Sequence, residues 1–203
     1  MKKTLCFLAV MVCLLFTPVG FTASLSDEEY IKDLETRALN GDVEAQSRLG
    51  YIYENGLYSV KQDYAKAAEW YEKAAKQGHM LAQANLSNIY YAGRGVKQDY
   101  AKAFEWVEKA AKQGDAISQY NLGIMYDQGQ GVRQDYVKAR EWYEKAAAQG
   151  DVNAQFNLGI MYATGEGVEQ DYVKAKEWFG KACDNGLNDG CDAYKDLNLK
   201  GCR

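Results

Sequence analysis

The chain repeats itself every 36 residues. The pair Asp63-Tyr64 recurs as Asp99-Tyr100, Asp135-Tyr136 and Asp171-Tyr172. A tryptophan and a glycine keep the same spacing, at Trp70, Trp106, Trp142 and Trp178 and at Gly78, Gly114, Gly150 and Gly186. Repetition at this period indicates stacked copies of one small structural unit, so it constrains the fold more than any single motif does.

Each unit is predicted to be a pair of helices. In the third unit, apolar residues between Ile117 and Tyr126 recur at helical spacings. Gly129 is placed to end this helix, because glycine accepts the left-handed conformation, and Asp135 is placed to cap the next one. The second helix carries Trp142 and also follows a spacing of three and four. One helix pair buries too little apolar surface to be stable alone, so the units must stack.

We therefore expect an all-α fold: a right-handed solenoid of helix-turn-helix repeats of 36 residues. Four full units are predicted over 42–186. A half repeat precedes them at 24–41, and a half repeat with a tail follows at 187–203.

Residues 1–23 have the layout of a secretory signal peptide. Lys2 and Lys3 precede an apolar run over 5–16, and small residues follow. The run is shorter than the roughly 20 residues that span a bilayer. We expect cleavage near Ala23 and an exported protein, periplasmic or secreted, without stable membrane insertion. A lipid anchor on Cys13 is the alternative, which the bulky valines before it disfavour.

Composition narrows the function classes. A formal net charge of -4 gives no basic surface for nucleic acid, and one histidine leaves little for a metal site. No cofactor or metal is expected. After the signal peptide, Cys183, Cys191 and Cys202 remain in the last 21 residues, where an oxidising compartment would permit a disulfide.

The units resemble Sel-1-like repeats, a subclass of the tetratricopeptide group. The residues that carry the resemblance are the run 154–162, Gly165-Glu166-Gly167-Val168, Asp171-Tyr172, Lys174-Ala175 and Trp178. The resemblance implies a scaffold for protein–protein contacts. The C-terminal cysteine pair is similar to a cysteine-rich secreted branch of this family, in which cysteines eight apart bridge adjacent helices. That similarity implies a Cys183–Cys191 disulfide that pins the last half repeat. Ala147 and Gln155 stand where the preceding unit would carry such a pair, so most of the chain departs from that branch.

Resemblance to tetratricopeptide proteins also implies that the first helix of each unit faces the concave side. The residues expected there vary between units while the scaffold repeats, which is typical of a binding surface. The predicted partner-binding residues are Tyr51, Asn88, Tyr91, Tyr120, Ile124, Asp127, Asn153, Phe156 and Ile160. We expect these side chains to bind a partner rather than to pack the scaffold.

Other candidate residues receive structural interpretations. His79 stands where sister units have aspartate and is predicted to cap a helix. The Gly-x-Gly loops, such as 93–95, are predicted to be helix–helix turns rather than phosphate sites. The four tryptophans are predicted to be core. Asn85, Asn121 and Asn157 are expected either to link neighbouring units or to face the groove.

The sequence therefore predicts an exported scaffold that binds a protein or peptide ligand in the envelope and is not an enzyme. No serine has lysine three residues later, as penicillin-recognising enzymes require. Two alternatives remain open. One is a penicillin-binding or weak beta-lactamase-like protein, implied only by the family, and the other is a structural periplasmic spacer. The oligomeric state stays open as well.

Overall fold

A computed structural model of the protein describes residues 26–199. This range contains ten helices and no strand. The helices are α1 (Asp27–Leu39), α2 (Val43–Asn55), α3 (Tyr64–Lys76), α4 (Met80–Ala92), α5 (Tyr100–Lys112), α6 (Ala116–Gln128), α7 (Tyr136–Ala148), α8 (Val152–Thr164), α9 (Tyr172–Asp184) and α10 (Asn188–Leu199). Each helix packs chiefly on its neighbours in sequence, which confirms the predicted all-α solenoid. Within residues 26–199, none of the helices combines the length and the apolar character needed to cross a bilayer.

Short signals in the sequence fix where each helix begins and ends. The Asp135 side chain accepts a hydrogen bond from the backbone N–H of Lys138 at 3.1 Å, which caps α7 as predicted. Gly129 follows α6 at φ 67°, a left-handed conformation that turns the chain away from the helix axis. Gly131 has a second constraint, because a Cβ there would collide with the backbone carbonyl of Tyr100 in the preceding unit. The Gly-x-Gly segments are therefore tight helix–helix turns, as predicted.

Within each unit, a small residue on the first helix faces a larger one on the second. A Cβ added to Gly123 would lie 2.5 Å from the ring of Tyr143. A Cβ added to Gly50 would likewise lie 2.5 Å from the ring of Tyr71, and one added to Gly159 would lie 2.5 Å from the ring of Phe179. The second unit differs at both places. It carries Ser87 instead of glycine and Val107 instead of an aromatic residue, and the Ser87 hydroxyl donates to the carbonyl of Ala103 at 2.8 Å. The two positions are thus matched in size within each unit.

A repeated glutamine joins three successive helices. The buried Gln119 of α6 donates to the carbonyl of Ala111 on α5 and accepts from Gln149 after α7, at 3.2 and 2.8 Å. The equivalent links run through Gln46, Gln83 and Gln155. Because a buried amide without partners is costly, these bonds fix the spacing of each helix against the next.

The tryptophans, predicted to be core, pack against the buried clusters but are themselves partly exposed. Trp106 of α5 contacts the cluster formed by α3 and α4. Its other face is covered by the Lys109 ammonium, 4.0 Å from the ring centroid. The same lysine–tryptophan pair recurs in all four units. These residues seal the edge of the core rather than its centre.

The last helix is tied to the array by a covalent bond. Cys183 of α9 and Cys191 of α10 form a disulfide, with Cα atoms 4.5 Å apart, as predicted. Gly190 lies close against Ala182 and lets the two helices approach. The predicted signal peptide, the alternative lipid site Cys13 and the tail residue Cys202 lie outside the described residues.

Candidate partner-binding face

The exposed sides of the first and second helices differ in charge. On α3, α5, α7 and α9 a Lys, a Glu and a second Lys recur in the same register, as in Lys102, Glu105 and Lys109, and all of them are exposed. By contrast, α4, α6 and α8 contain one charged side chain, Asp127, in three helices of 13 residues each, whereas α2, at the start of the array, carries Glu44, Arg48 and Glu54. We call the exposed side of the first helices the first-helix face. It is formed by Tyr51, Leu81, Asn88, Tyr91, Ile117, Asn153 and Ile160.

Several large apolar side chains stand open on this face. Ile117 is 64% exposed, Leu81 56% and Tyr51 53%. Leu81 and Ile117 occupy the first turn of their helices and are not among the predicted partner-binding residues. Tyr91, Ile160, Asn88 and Asn153 are exposed as well. The five predicted residues that are exposed can thus contact a partner directly.

Four of the predicted residues are half-buried: Tyr120, Ile124, Asp127 and Phe156. The expectation that these side chains do not pack the scaffold is wrong for three of them, because Tyr120, Ile124 and Phe156 all pack against the buried clusters. The Tyr120 ring lies 5.9 Å from the ring of Tyr143, and the Phe156 ring lies 5.4 Å from that of Phe179. For these two aromatic residues the reason is the glycine that follows three residues later on the same helix, Gly123 or Gly159. It lets a large ring of the second helix approach, and the neighbouring aromatic residue then rests on that ring.

An acidic residue at the end of α2 is satisfied by a buried tyrosine. Glu54 accepts a hydrogen bond of 2.8 Å from the hydroxyl of Tyr71, whose ring is fully buried. Burial raises the pKa of Tyr71, and Glu54 raises it further, so this hydroxyl stays protonated and donates. Asn85 of the next unit lies beside the same hydroxyl.

The third unit carries the same arrangement with a shorter acid. Asp127 stands at the position equivalent to Glu54, Tyr143 at that of Tyr71, and Asn157 at that of Asn85. The Tyr143 hydroxyl is enclosed beside Asp127 and Asn157, close enough for both to influence its pKa, but neither contact has the geometry of a hydrogen bond. Burial raises the pKa of Asp127, and the nearby carboxylate of Glu166 raises it further. The site thus holds two carboxylates and an unsatisfied hydroxyl.

The asparagines lie at contacts between units. Asn85 is on α4 and meets Tyr71 of the preceding unit, while Asn157 is on α8 and meets both Tyr120 and Tyr143. This position agrees with the expectation that they link neighbouring units.

His79 is a helix cap, as predicted. Its Nδ1 accepts from the backbone N–H of Ala82 at 3.2 Å, and its Nε2 lies 3.2 Å from a carboxylate oxygen of Glu44. In residues 26–199, no group of three or more potential metal ligands comes together.

Sequence reasoning missed the glutamine links and the pairing of acid with tyrosine. The glutamines could have been found, since Gln46, Gln83, Gln119 and Gln155 recur at the repeat spacing and stand between apolar neighbours. The pairing of acid with tyrosine is visible only when units are compared, because the acid and the tyrosine occur together in the first unit, as Glu54 and Tyr71, and in the third unit, as Asp127 and Tyr143.

The stacked helix pairs define a helical-repeat scaffold. A family model described as Sel1 repeat matches residues 43–79, 81–115, 116–151 and 152–187. These matches cover most of the chain, which therefore belongs to the Sel1 repeat family. Such repeats typically form protein-interaction modules and are generally non-enzymatic binding scaffolds.

Solved structures share both the fold and much of the sequence. The chain is 40% identical to a protective antigen present in uropathogenic Escherichia coli strains, with a TM-score of 0.83, over 87% of this chain and 38% of that one. It is 31% identical to a Sel1 repeat protein from Oxalobacter formigenes, with a TM-score of 0.81, over 86% of this chain and 72% of that one.

A curated relative matches a smaller part of the chain. The ERAD-associated E3 ubiquitin-protein ligase component HRD3A of Arabidopsis thaliana is 36% identical over 69 residues, which are 34% of this chain and 10% of that protein. The matched part is thus about a tenth of this relative's length.

Proposed function

We propose that this protein is an exported scaffold that holds a segment of another protein on its first-helix face. The observation that carries the proposal is the contrast in charge between the first helices α4, α6 and α8 and the second helices α3, α5, α7 and α9. Charged residues are depleted at the centres of protein interfaces, where apolar and aromatic side chains are enriched. The part of the first-helix face on α4, α6 and α8 has this composition, whereas α2 adds the exposed Glu44 and Arg48, and the second helices present regularly spaced lysine and glutamate.

The arrangement of the exposed side chains across successive units favours an extended ligand. Leu81 and Ile117 occupy the same position on neighbouring first helices, and Asn153 follows at that position in the next unit. A row of this kind runs across the units rather than along one helix. An extended peptide lying across the array would meet one anchor from each unit, and the exposed Asn88 and Asn153 could bond to its backbone.

Export is part of the proposal and follows from the signal-like residues 1–23 together with the Cys183–Cys191 disulfide. Disulfides persist in oxidising compartments. Measuring the intact mass of the protein from the periplasmic and secreted fractions tests this point. A mature form that begins near Ser24 supports it, and a retained Met1 or a lipid on Cys13 contradicts it.

Photo-crosslinking tests the binding face. A photoreactive phenylalanine analogue placed at Ile117 should give crosslinked adducts in cells. The same analogue at Glu105, exposed on the second helix of the preceding unit, should give few. Ile117→Glu combined with Leu81→Glu should abolish the adducts of a probe at Tyr51, with little change in thermal midpoint, because both side chains are exposed.

Equal crosslinking from Glu105 and Ile117 would place the partner elsewhere and overturn the proposal. Tyr120 and Phe156 are unsuitable for this test. Their rings pack on Tyr143 and Phe179, so their loss would lower stability and binding together.

A further inference from the structure

The turns inside the four units differ in charge. Each turn, taken with the first turn of the helix that follows it, covers one of the segments 56–66, 93–102, 129–138 and 165–174. In the second unit, Arg94, Lys97 and Lys102 stand against one acid, Asp99, which gives this segment a formal charge of +2. The first and third segments carry +1 each and the fourth carries -2. The most basic turn of an acidic chain therefore lies in the second unit.

A depression opens at this turn. It has a volume of about 530 Å³ and is lined by Tyr90, Val96, Lys97, Gln98, Asp99 and Lys102. The equivalent residues of the first unit, Tyr53, Val60, Lys61, Gln62, Asp63 and Lys66, line a second depression of about 360 Å³. Sites that hold a ligand group commonly have volumes of about 300–1,000 Å³. Because the depression recurs at the same place, the repeat itself builds it.

Hydrogen bonds within the chain hold the walls of the second-unit depression. The backbone N–H of Asp99 donates to the carbonyl of Tyr90 at 3.0 Å, and the Asp99 carboxylate caps α5. The Gln98 amide donates to the carbonyl of Tyr91 at 2.8 Å and to the hydroxyl of Tyr100 at 3.1 Å. The walls are therefore set before a ligand arrives, which lowers the entropy cost of binding. Since the Gln98 hydrogens are used internally, the lysines are the groups left to recognise a charge.

The two lysines are not neutralised by the chain. The Lys102 ammonium lies 5.1 Å from the centroid of the Tyr90 ring. Among residues 26–199, neither Lys102 nor Lys97 forms an ion pair. The third and fourth units differ, because Lys138 and Lys174 lie 3.6 and 3.5 Å from the carboxylates that cap their own helices. The positive charge at the second-unit depression thus remains open to a ligand.

The first-unit depression is less suited to an anion. The Tyr53 hydroxyl donates to Glu35 at 3.4 Å, so a carboxylate already lies beside this lining residue. The acid equivalent to Glu35 in the second unit is Glu72, which pairs with Lys76 at 2.8 Å. The more basic turn and the engaged acid both favour the second unit.

We propose that the second-unit depression binds the carboxylate of an acidic side chain on a partner protein. Lys97 and Lys102 against Asp99 leave one uncompensated positive charge, which matches a carboxylate better than a phosphate group with nearly two negative charges. The two ammonium groups can donate charge-assisted hydrogen bonds to it. Val96 and the Tyr90 ring offer apolar surface to the aliphatic stem. This site goes beyond the first-helix face and does not depend on it.

A peptide titration tests the site directly. The probe is the capped tripeptide acetyl-Leu-Glu-Leu-amide, and binding to the purified protein is followed by backbone amide shifts in nuclear magnetic resonance spectra. We expect saturable shifts over residues 96–102 that weaken with added salt. The glutamine version of the peptide has the same shape without the charge and should bind about fivefold more weakly, as expected for partly exposed ion pairs. Inorganic phosphate, titrated separately, should bind no more tightly than the glutamate peptide.

Matched variants separate the site from the overall charge of the protein. Lys97→Glu introduces the residue that the fourth unit carries as Glu169, so the fold should accept it, and it should abolish the saturable shifts. Lys195→Glu makes the same change in net charge on α10, where the side chain is 69% exposed. It should change the affinity by less than about twofold. Circular dichroism of both variants checks that the fold is retained.

The outcomes keep this inference separate from the proposed function. Equal binding of the glutamate and glutamine peptides, unchanged binding by Lys97→Glu, or an equal loss in Lys195→Glu overturns the carboxylate site. Absence of any saturable shift with the glutamate peptide, or tighter binding of phosphate, also overturns it. Crosslinking that fails to favour Ile117 over Glu105, with Lys97-dependent peptide binding intact, overturns the proposed function alone.

Discussion

Removing one hydroxyl from each of two equivalent tyrosines should change stability in opposite directions. Tyr71 and Tyr143 occupy the same position in the first and third units, and both rings are fully buried. The Tyr71 hydroxyl donates to Glu54 at 2.8 Å, whereas the Tyr143 hydroxyl has no partner among the described residues. Phenylalanine is compatible with this position, since the fourth unit carries Phe179 there. The two substitutions therefore differ chiefly in the hydrogen bond.

The magnitudes follow from the surroundings of each hydroxyl. A hydrogen bond to a charged group contributes about 1.5–3 kcal/mol. Glu54 is only half-buried and can regain water, so Tyr71→Phe should cost about 1.5 kcal/mol, at the lower end of that range. A buried hydroxyl without a partner costs about 1–3 kcal/mol, so Tyr143→Phe should stabilise the fold by about 1 kcal/mol. At roughly 2–4 °C per kcal/mol, the first midpoint falls by about 3–6 °C and the second rises by about 2–4 °C.

Urea denaturation followed by far-ultraviolet circular dichroism measures both variants against the unmodified protein. Equal slopes of free energy against urea would show that the same structure unfolds in each case. If both substitutions destabilise the protein by a similar amount, the Tyr143 hydroxyl is bonded in solution, and the reasoning from the shorter Asp127 side chain fails. The double change Asp127→Glu with Tyr143→Phe is an internal check. Glutamate should reach the hydroxyl as Glu54 does, so the phenylalanine that stabilises the native sequence should destabilise the Glu variant.

Three further predictions concern other parts of the array. Gly123→Ala should lower the free energy of unfolding by about 1–3 kcal/mol, because the added Cβ would lie 2.5 Å from the Tyr143 ring. Gly180→Ala should raise it by about 0.5–1 kcal/mol, because Gly180 is helical and its added Cβ would have no neighbouring atom nearer than 3.4 Å. Urea denaturation measures both changes. Replacing Cys183 and Cys191 together by alanine should cost on the order of 2–3 kcal/mol, and hydrogen exchange should quicken in α9 and α10 first; unchanged exchange there would contradict the predicted role of the bond. Asp127→Asn should raise the thermal midpoint at neutral pH. Burial and Glu166 raise the pKa of Asp127, so ionisation destabilises the fold as pH rises, and the gain should disappear in acid, where the native aspartate is protonated; a gain independent of pH would contradict this.

The architecture was accessible from sequence because every unit repeats the same local signals. Asp135 caps its helix and Gly129 ends the one before it, as their positions indicated. The repetition also allowed His79 to be recognised as a cap, since the sister units carry aspartate there. These features depend on a few neighbouring residues, which is why reading along the chain found them.

The candidate site was less accessible, because it depends on contacts between helices. Tyr120 and Phe156 stand at positions that vary between units, and such variation by itself predicts an exposed binding surface. In fact each rests on a ring, Tyr143 or Phe179, that approaches only where the first helix carries glycine. Variation at a repeated position therefore has two causes, a binding surface or compensation inside a unit, and one helix examined alone does not distinguish them.

The match in side-chain size between facing residues of the first and second helix of a unit affects how such an array can change its number of units. The partners are about twenty residues apart, as in Gly123 and Tyr143, and both belong to one unit. A genetic duplication or loss of the segment 116–151 carries both partners together and leaves the neighbours unaltered. A rearrangement whose boundary falls between them could place Tyr143 opposite the serine of the second unit, where the ring does not fit. Selection should therefore keep breakpoints in the turns between units, and arrays of different reach can arise by copying whole units.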